Sequence, residues 1–134
     1  MNNVKCVVFF PIRDETFLAE IRPNNDTDPG RMMLPAGHVE SGEKLEEALI
    51  RECKEELDIL PVEYTLVHRN TRNMQDEVQD CYFYAITKWS GEVKQKDVGQ
   101  LKWMSFSDEN NLYLESSRTA VANIHKKIHE HIIK

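Results

Sequence analysis

The sequence predicts an α/β fold, a mixed sheet between helical layers, and three observations point to it. An apolar run near the N-terminus, Val4 to Phe10, is too continuous for a strand with one wet face. Two stretches of helical period, about Glu43 to Leu57 and Ser116 to Ile133, are amphipathic. The segments around them alternate or are rich in β-branched and aromatic residues, giving the order β, β, α, β, β, β, α. No repeat, linker or low-complexity stretch divides the 134 residues, so 1–134 reads as one domain.

Composition narrows the function classes. The chain is 40% hydrophobic and 30% charged, as a globular protein is. No apolar run reaches membrane-spanning length, and MNNVKCVVFF lacks the basic lead and cleavage site of a signal peptide; a cytoplasmic location and no membrane partner are expected. Cys6, Cys53 and Cys81 are odd in number, widely spaced and each in an apolar stretch, which predicts buried thiols rather than a disulfide framework or a zinc motif. The net charge of −6 argues against a nucleic-acid polymer. It leaves a small nucleotide open, because a metal can supply the positive charge. Nothing in the sequence fixes an oligomeric state.

In chain order, Val4 to Phe10 is a strand buried on both faces and ended by Pro11. Thr16 to Arg22 sets Phe17, Ala19 and Ile21 against Leu18, Glu20 and Arg22, a half-buried strand paired as a hairpin with the first. Residues 23–30, PNNDTDPG, are dense in turn formers and predict a surface loop. Pro35 biases Leu34 toward extended backbone, a stiff entry to the helix, for which Ser41 is the expected cap and Glu43 a first-turn anion suited to the dipole. Val62, Tyr64 and Leu66 alternate with Glu63, Thr65 and Val67 in a strand, and the polar 69–79 reads as a loop. Asp80 to Trp89 is a central strand, Leu101 to Phe106 another with Trp103 in the core, and Asp108 to Leu114 a short helical turn. In the closing helix His125 and His129 stand at i, i+4 without the Glu of a metalloprotease motif, so they read as surface residues.

The middle helix carries an anomaly. Leu45, Ala48, Leu49, Cys53 and Leu57 share one face, yet Glu52 and Glu56 fall within the same stripe and Glu55 on its flank. Glu55 and Glu56 also sit in the last turn, where the dipole favours cations, and acids at i, i+3 and i+4 repel one another. Two readings fit: a solvated acidic face, or hard oxygen ligands relieved by a divalent cation shared with substrate phosphates. Arg51 beside them reads as a brace that fixes the carboxylates by charge-assisted hydrogen bonds.

Gly37, five residues, Glu43, seven residues, then Arg51-Glu52-Cys53-Lys54-Glu55-Glu56 resembles the Nudix box, with Leu34-Pro35-Ala36 before it and Ile59 after it also similar. Every charged position matches. Asp58 departs, standing where the family usually has glycine, and as a residue that tolerates the left-handed region it is expected to make the same turn. The resemblance, to MutT-like Nudix hydrolases, implies an α/β/α sandwich with a central mixed sheet. It implies a Mg²⁺-dependent nucleotide pyrophosphohydrolase, with Mn²⁺ as a substitute, acting on a nucleoside diphosphate linked to another group, foremost a nucleoside triphosphate or related nucleotide. Glu52, Glu55 and Glu56 are then catalytic residues and metal ligands, Arg51 their partner, the Gly37 carbonyl a backbone ligand and Asp97 a further metal ligand, with Glu92 and Glu77 as weaker candidates for that last position. A proline or a tyrosine past the box marks two substrate subclasses in the family, and neither stands between Thr71 and Val78. The competing class is a non-catalytic nucleotide-binding regulatory module, whose mark would be lost box acids; none is lost.

Overall fold

The computed structural model describes residues 2–23, 30–94 and 99–133. Its elements keep the expected order with two short strands added before the first helix: β1 (Asn2–Arg13), β2 (Thr16–Ile21), β3 (Met32–Met33), β4 (Ala36–His38), α1 (Leu45–Leu57), β5 (Leu60–Asn73), β6 (Glu77–Ser90), β7 (Gln100–Ser105), a 3₁₀ turn (Phe106–Asn111) and α2 (Glu115–Ile133). The sheet is mixed and runs β3-β2-β1-β6-β5, with β4 added to β1 and β7 to β2.

The first strand organises it. Asn2 to Pro11 pair in parallel with Glu77 to Ile86 of β6, Cys6 to Val8 pair antiparallel with β4, and Ile12 and Arg13 turn into the hairpin with β2. With α2 over one face and α1 over the other, β1 has little wet surface, which is why its sequence is nearly all apolar. Its pleat sorts the core into two layers. Cys6, Val8 and Phe10 face α2 with Phe83, Phe106, Val121 and Ile124. Val7 and Phe9 face α1 with Leu49, Cys53, Leu57 and Tyr84. Buried side chains such as Phe9, Phe10, Phe17, Phe83 and Phe106 each contribute about 1.5–3 kcal/mol of transfer free energy.

Three expectations are corrected. Residues 69–79 are not a loop: β5 continues to Asn73 and β6 starts at Glu77, so only 74–76 turn. They are polar because β5 ends the sheet order, and alternate positions on this edge strand face water. Ser41 does not cap α1; the cap is Lys44, whose N–H donates to Glu47 Oε1 at 2.8 Å. His125 is half-buried and stacks on Phe106 at 4.6 Å between ring centroids, so it is part of the wall between α2 and the 3₁₀ turn, while His129 is exposed. Asp58 does close α1 in the left-handed conformation, at φ 58° and ψ 37°, with Lys54 Nζ 2.9 Å from its carboxylate. Among the described residues no helix is long and apolar enough to cross a membrane.

Candidate active site

The acids of α1 are arranged around Arg51. Its Nε donates to Glu43 Oε2 at 2.8 Å and its Nη2 to Glu43 Oε1 at 3.0 Å, a two-pronged pair. Nη1 donates to Glu52 Oε1 at 2.9 Å and Glu55 Oε2 at 3.2 Å, and Nη2 also to the His38 carbonyl at 2.9 Å. One guanidinium thus ties the turn before the helix, two helical turns and strand β4 together. Glu43 is more than the dipole partner expected from its position. Its Oε1 also accepts the Glu40 N–H at 2.9 Å, holding the tight turn that Gly42 makes at φ +80°.

The Arg51 hydrogen bonds, and that of Glu40, hold the Glu43 carboxyl down at about 2. The folded state therefore binds fewer protons here than the unfolded chain. This stabilisation is complete above the ordinary value of 4.5 and is lost as pH falls toward 2. Glu43→Gln should accordingly flatten the acid limb of the melting temperature in metal-free buffer. An acid limb equal to that of the parent protein would remove Glu43 from this role.

Glu52 has the opposite environment. It is buried, 8% exposed, and burial pushes its carboxyl above the usual range against the pull of Arg51. It sits there because Gly37 gives it room: a Cβ on Gly37 would lie 2.1 to 2.4 Å from the Glu52 carboxyl atoms. The stripe position of Glu52 is thus observed, with Glu56 half-buried beside it and Glu55 on the exposed flank.

The backbone of β4 corrects one expectation. Phe9 N–H donates to the Pro35 carbonyl and Val39 N–H to the Lys5 carbonyl, at 2.9 and 2.8 Å, on either side of the Val7 and Gly37 pair. By the antiparallel alternation the Gly37 carbonyl faces β1, and the carbonyls of Ala36 and His38 face away. That of His38 is already taken by Arg51, so the carbonyl turned out beside the acids is Ala36's rather than Gly37's. Asp97 lies outside the described residues. Glu77 is held by Gln79 Nε2 at 2.6 Å and by His38 Nε2 at 3.0 Å, which keeps its carboxyl below the usual range. Glu92 is exposed in the turn after β6.

Beside the acids, on the α2 face, lies a cavity of about 260 Å³. Its apolar wall includes Val8, Met33, Leu34, Phe83 and Leu114, and its polar groups include Arg72, Gln79, Ser116 and Ser117. Ala36, Gly37 and His38 line it too, so β4 is a wall shared by cavity and acids. No sequence pattern marks this cavity, because its walls meet through the pairing of β1 with β6 and β4 and the packing of α2.

A family profile described as the NUDIX domain matches residues 2–128. The chain belongs to this family. Among curated Nudix relatives, the 8-oxo-dGTP diphosphatase of Escherichia coli is 31% identical over 75 residues, 56% of this chain and 58% of that protein. The ADP-ribose pyrophosphatase of Methanocaldococcus jannaschii is 35% identical over 95 residues, 69% of this chain and 54% of that one. The matched region thus spans a little over half the length of these relatives. The crystal structure of a MutT Nudix hydrolase from Burkholderia pseudomallei superposes with a TM-score of 0.81 at 23% identity, over 92% of this chain and 99% of that one. The mixed sheet between α1 and α2 is therefore the Nudix, MutT-like fold.

Proposed function

We propose that this Nudix chain is a Mg²⁺-dependent pyrophosphohydrolase, with Mn²⁺ as a substitute, that cleaves the phosphoanhydride of a nucleoside triphosphate or related nucleotide. The observation that carries the reading is the shared wall: β4 lines a cavity of about 260 Å³, and Gly37 of the same strand packs against a buried carboxylate braced by arginine. The relatives support it, since 8-oxo-dGTP and ADP-ribose both join a nucleoside to a phosphoanhydride.

The donor set fits a hard cation. Glu40, Glu43, Glu52 and Glu55 all lie within 4 Å of one guanidinium, an excess of carboxylate oxygen that a single arginine does not neutralise. Among the described residues no three His, Cys, Asp or Glu side chains form a ready ligand cluster. Mg²⁺ takes one or two carboxylates at a time and completes its shell with water and substrate phosphate. Glu52, Glu55 and Glu56 would supply those carboxylates, with the Ala36 carbonyl and Asp97 as further ligands. The cation, when bound, neutralises the phosphates and polarises phosphorus.

The remaining work falls to the chain itself. Val8, Leu34 and Phe83 exclude water from the base, and Gln79 and Ser117 offer it hydrogen bonds. Arg51 fixes Glu52 through Oε1, leaving Oε2 as the oxygen to receive the proton of the attacking water.

The test is product analysis on a panel of dGTP, 8-oxo-dGTP, ATP and ADP-ribose with Mg²⁺. Turnover of one of them to a nucleoside monophosphate and a second phosphate product is the expected result. Nucleotide binding without release of any phosphate product, with Mg²⁺ or Mn²⁺, would replace the enzyme by a regulatory binding module.

A further inference from the structure

Two thiols that the hydrolytic chemistry leaves unused stand side by side on the floor of the cavity. Cys6 of β1 and Cys81 of β6 are direct partners in the parallel ladder. Both side chains leave the sheet on the α2 face and both line the cavity, where the Cys81 thiol donates to the Gln79 carbonyl at 4.0 Å. Neighbouring strands run about 4.7–4.9 Å apart, within the roughly 4.4–6.8 Å that the Cα atoms of a disulfide span. Both residues are buried, at 5% and 6% exposure, and the cavity they line is their route to a small oxidant. Cys53 supplies the contrast: it is fully enclosed in the α1-side core.

We propose that Cys6 and Cys81 form a redox-responsive dithiol in the cavity floor, which a hydroperoxide converts to a disulfide that impairs the seat of the nucleotide. The consequence for turnover rests on the reading of the cavity given above, while the thiol chemistry does not. In the first step one sulfur attacks the peroxide; an S–O bond forms, the O–O bond breaks, and water or an alcohol leaves with one thiol proton. In the second step the other sulfur displaces that oxygen; the S–S bond forms, the S–O bond breaks, and a water leaves with the second proton. Two thiols are oxidised by two electrons in all, and the peroxide is reduced by the same two. Either sulfur can open the sequence and the other resolve it, since both stand on the same cavity floor. Oxidation removes two S–H groups from the surface on which the base rests and draws the sulfurs together.

The experiment treats the reduced full chain with hydrogen peroxide, alone and with each nucleotide of the panel in metal-free buffer, and follows it by intact mass, peptide mapping and turnover after quenching. The expected result is a Cys6 to Cys81 cross-link while Cys53 stays alkylatable, a loss of turnover of about tenfold or more, and recovery of both mass and turnover with dithiothreitol. A nucleotide that fills the cavity should slow the cross-link. In Cys6→Ser or Cys81→Ser no intramolecular cross-link should form. Cys6 and Cys81 oxidising no faster than Cys53 in the parent chain would overturn the proposal, as would a cross-linked protein of undiminished turnover. A cross-link that no panel nucleotide slows would leave the dithiol standing and remove the base from this cavity.

Discussion

Glu52→Gln should lower kcat by about 10²–10⁴-fold, the usual contribution of a positioned general base or its metal ligation, with the fold intact. The change removes one carboxylate oxygen's charge and keeps the shape of the side chain. It also relieves the burial penalty that raises the Glu52 carboxyl. Arg51 keeps the two-pronged pair with Glu43 and the bond to Glu55, so its position is preserved. Steady-state kinetics beside a thermal melt separate the two effects. A variant with full turnover would take Glu52 out of the mechanism, and one that fails to fold would make its role structural.

Gly37→Ala is the second large effect, and it reaches the same carboxylate from the other side. The new methyl would collide with the Glu52 carboxyl and with no backbone atom among its nearest neighbours. What must yield is the end of a flexible side chain, which moves aside at little cost to stability. Activity does not tolerate that movement: a catalytic group displaced by about 1 Å can cost 10²-fold. The expected outcome is a melting temperature within a few degrees of the parent and turnover reduced about 10²-fold. On the Glu52→Gln background the same substitution should cost little more, since both act through one group. Additive losses in the double variant would show that Gly37 serves something other than Glu52.

Much of this architecture was legible in the sequence because its cause is local. The near-continuous apolar run at Val4 to Phe10 announces a strand covered on both faces, and Glu52 in a stripe with Leu45 and Leu49 announces a carboxylate that folding alone would not place there. Asp58 keeps the helix exit because its short polar side chain tolerates the left-handed region. The rest depends on long-range placement. Cys6 and Cys81, Gln79, Arg72 and Ser117 share no sequence pattern, and only the parallel register of β1 with β6 and the packing of α2 bring them together. The hairpin at 69–79 reads as a loop in sequence because an edge strand is polar where it faces water, and polarity alone does not tell a strand from a loop. Glu43 was visible as an anion near a helix start. Its grip on Arg51 two turns later was not, because the chain first has to turn at Gly42.

The parallel pairing of β1 with β6 has a consequence for how the molecule comes into being. The N-terminal strand emerges first, yet its longest ladder forms with a strand made only after α1 and β5. Closing so long a loop has to precede the reward of pairing, which slows folding and leaves an apolar strand waiting in the nascent chain. The box helix alone can form early; the enclosed cavity cannot. A chain truncated before Glu77 would hold every acid of the Nudix box and still have no cavity floor beside them, so competence in this protein is acquired in one late step.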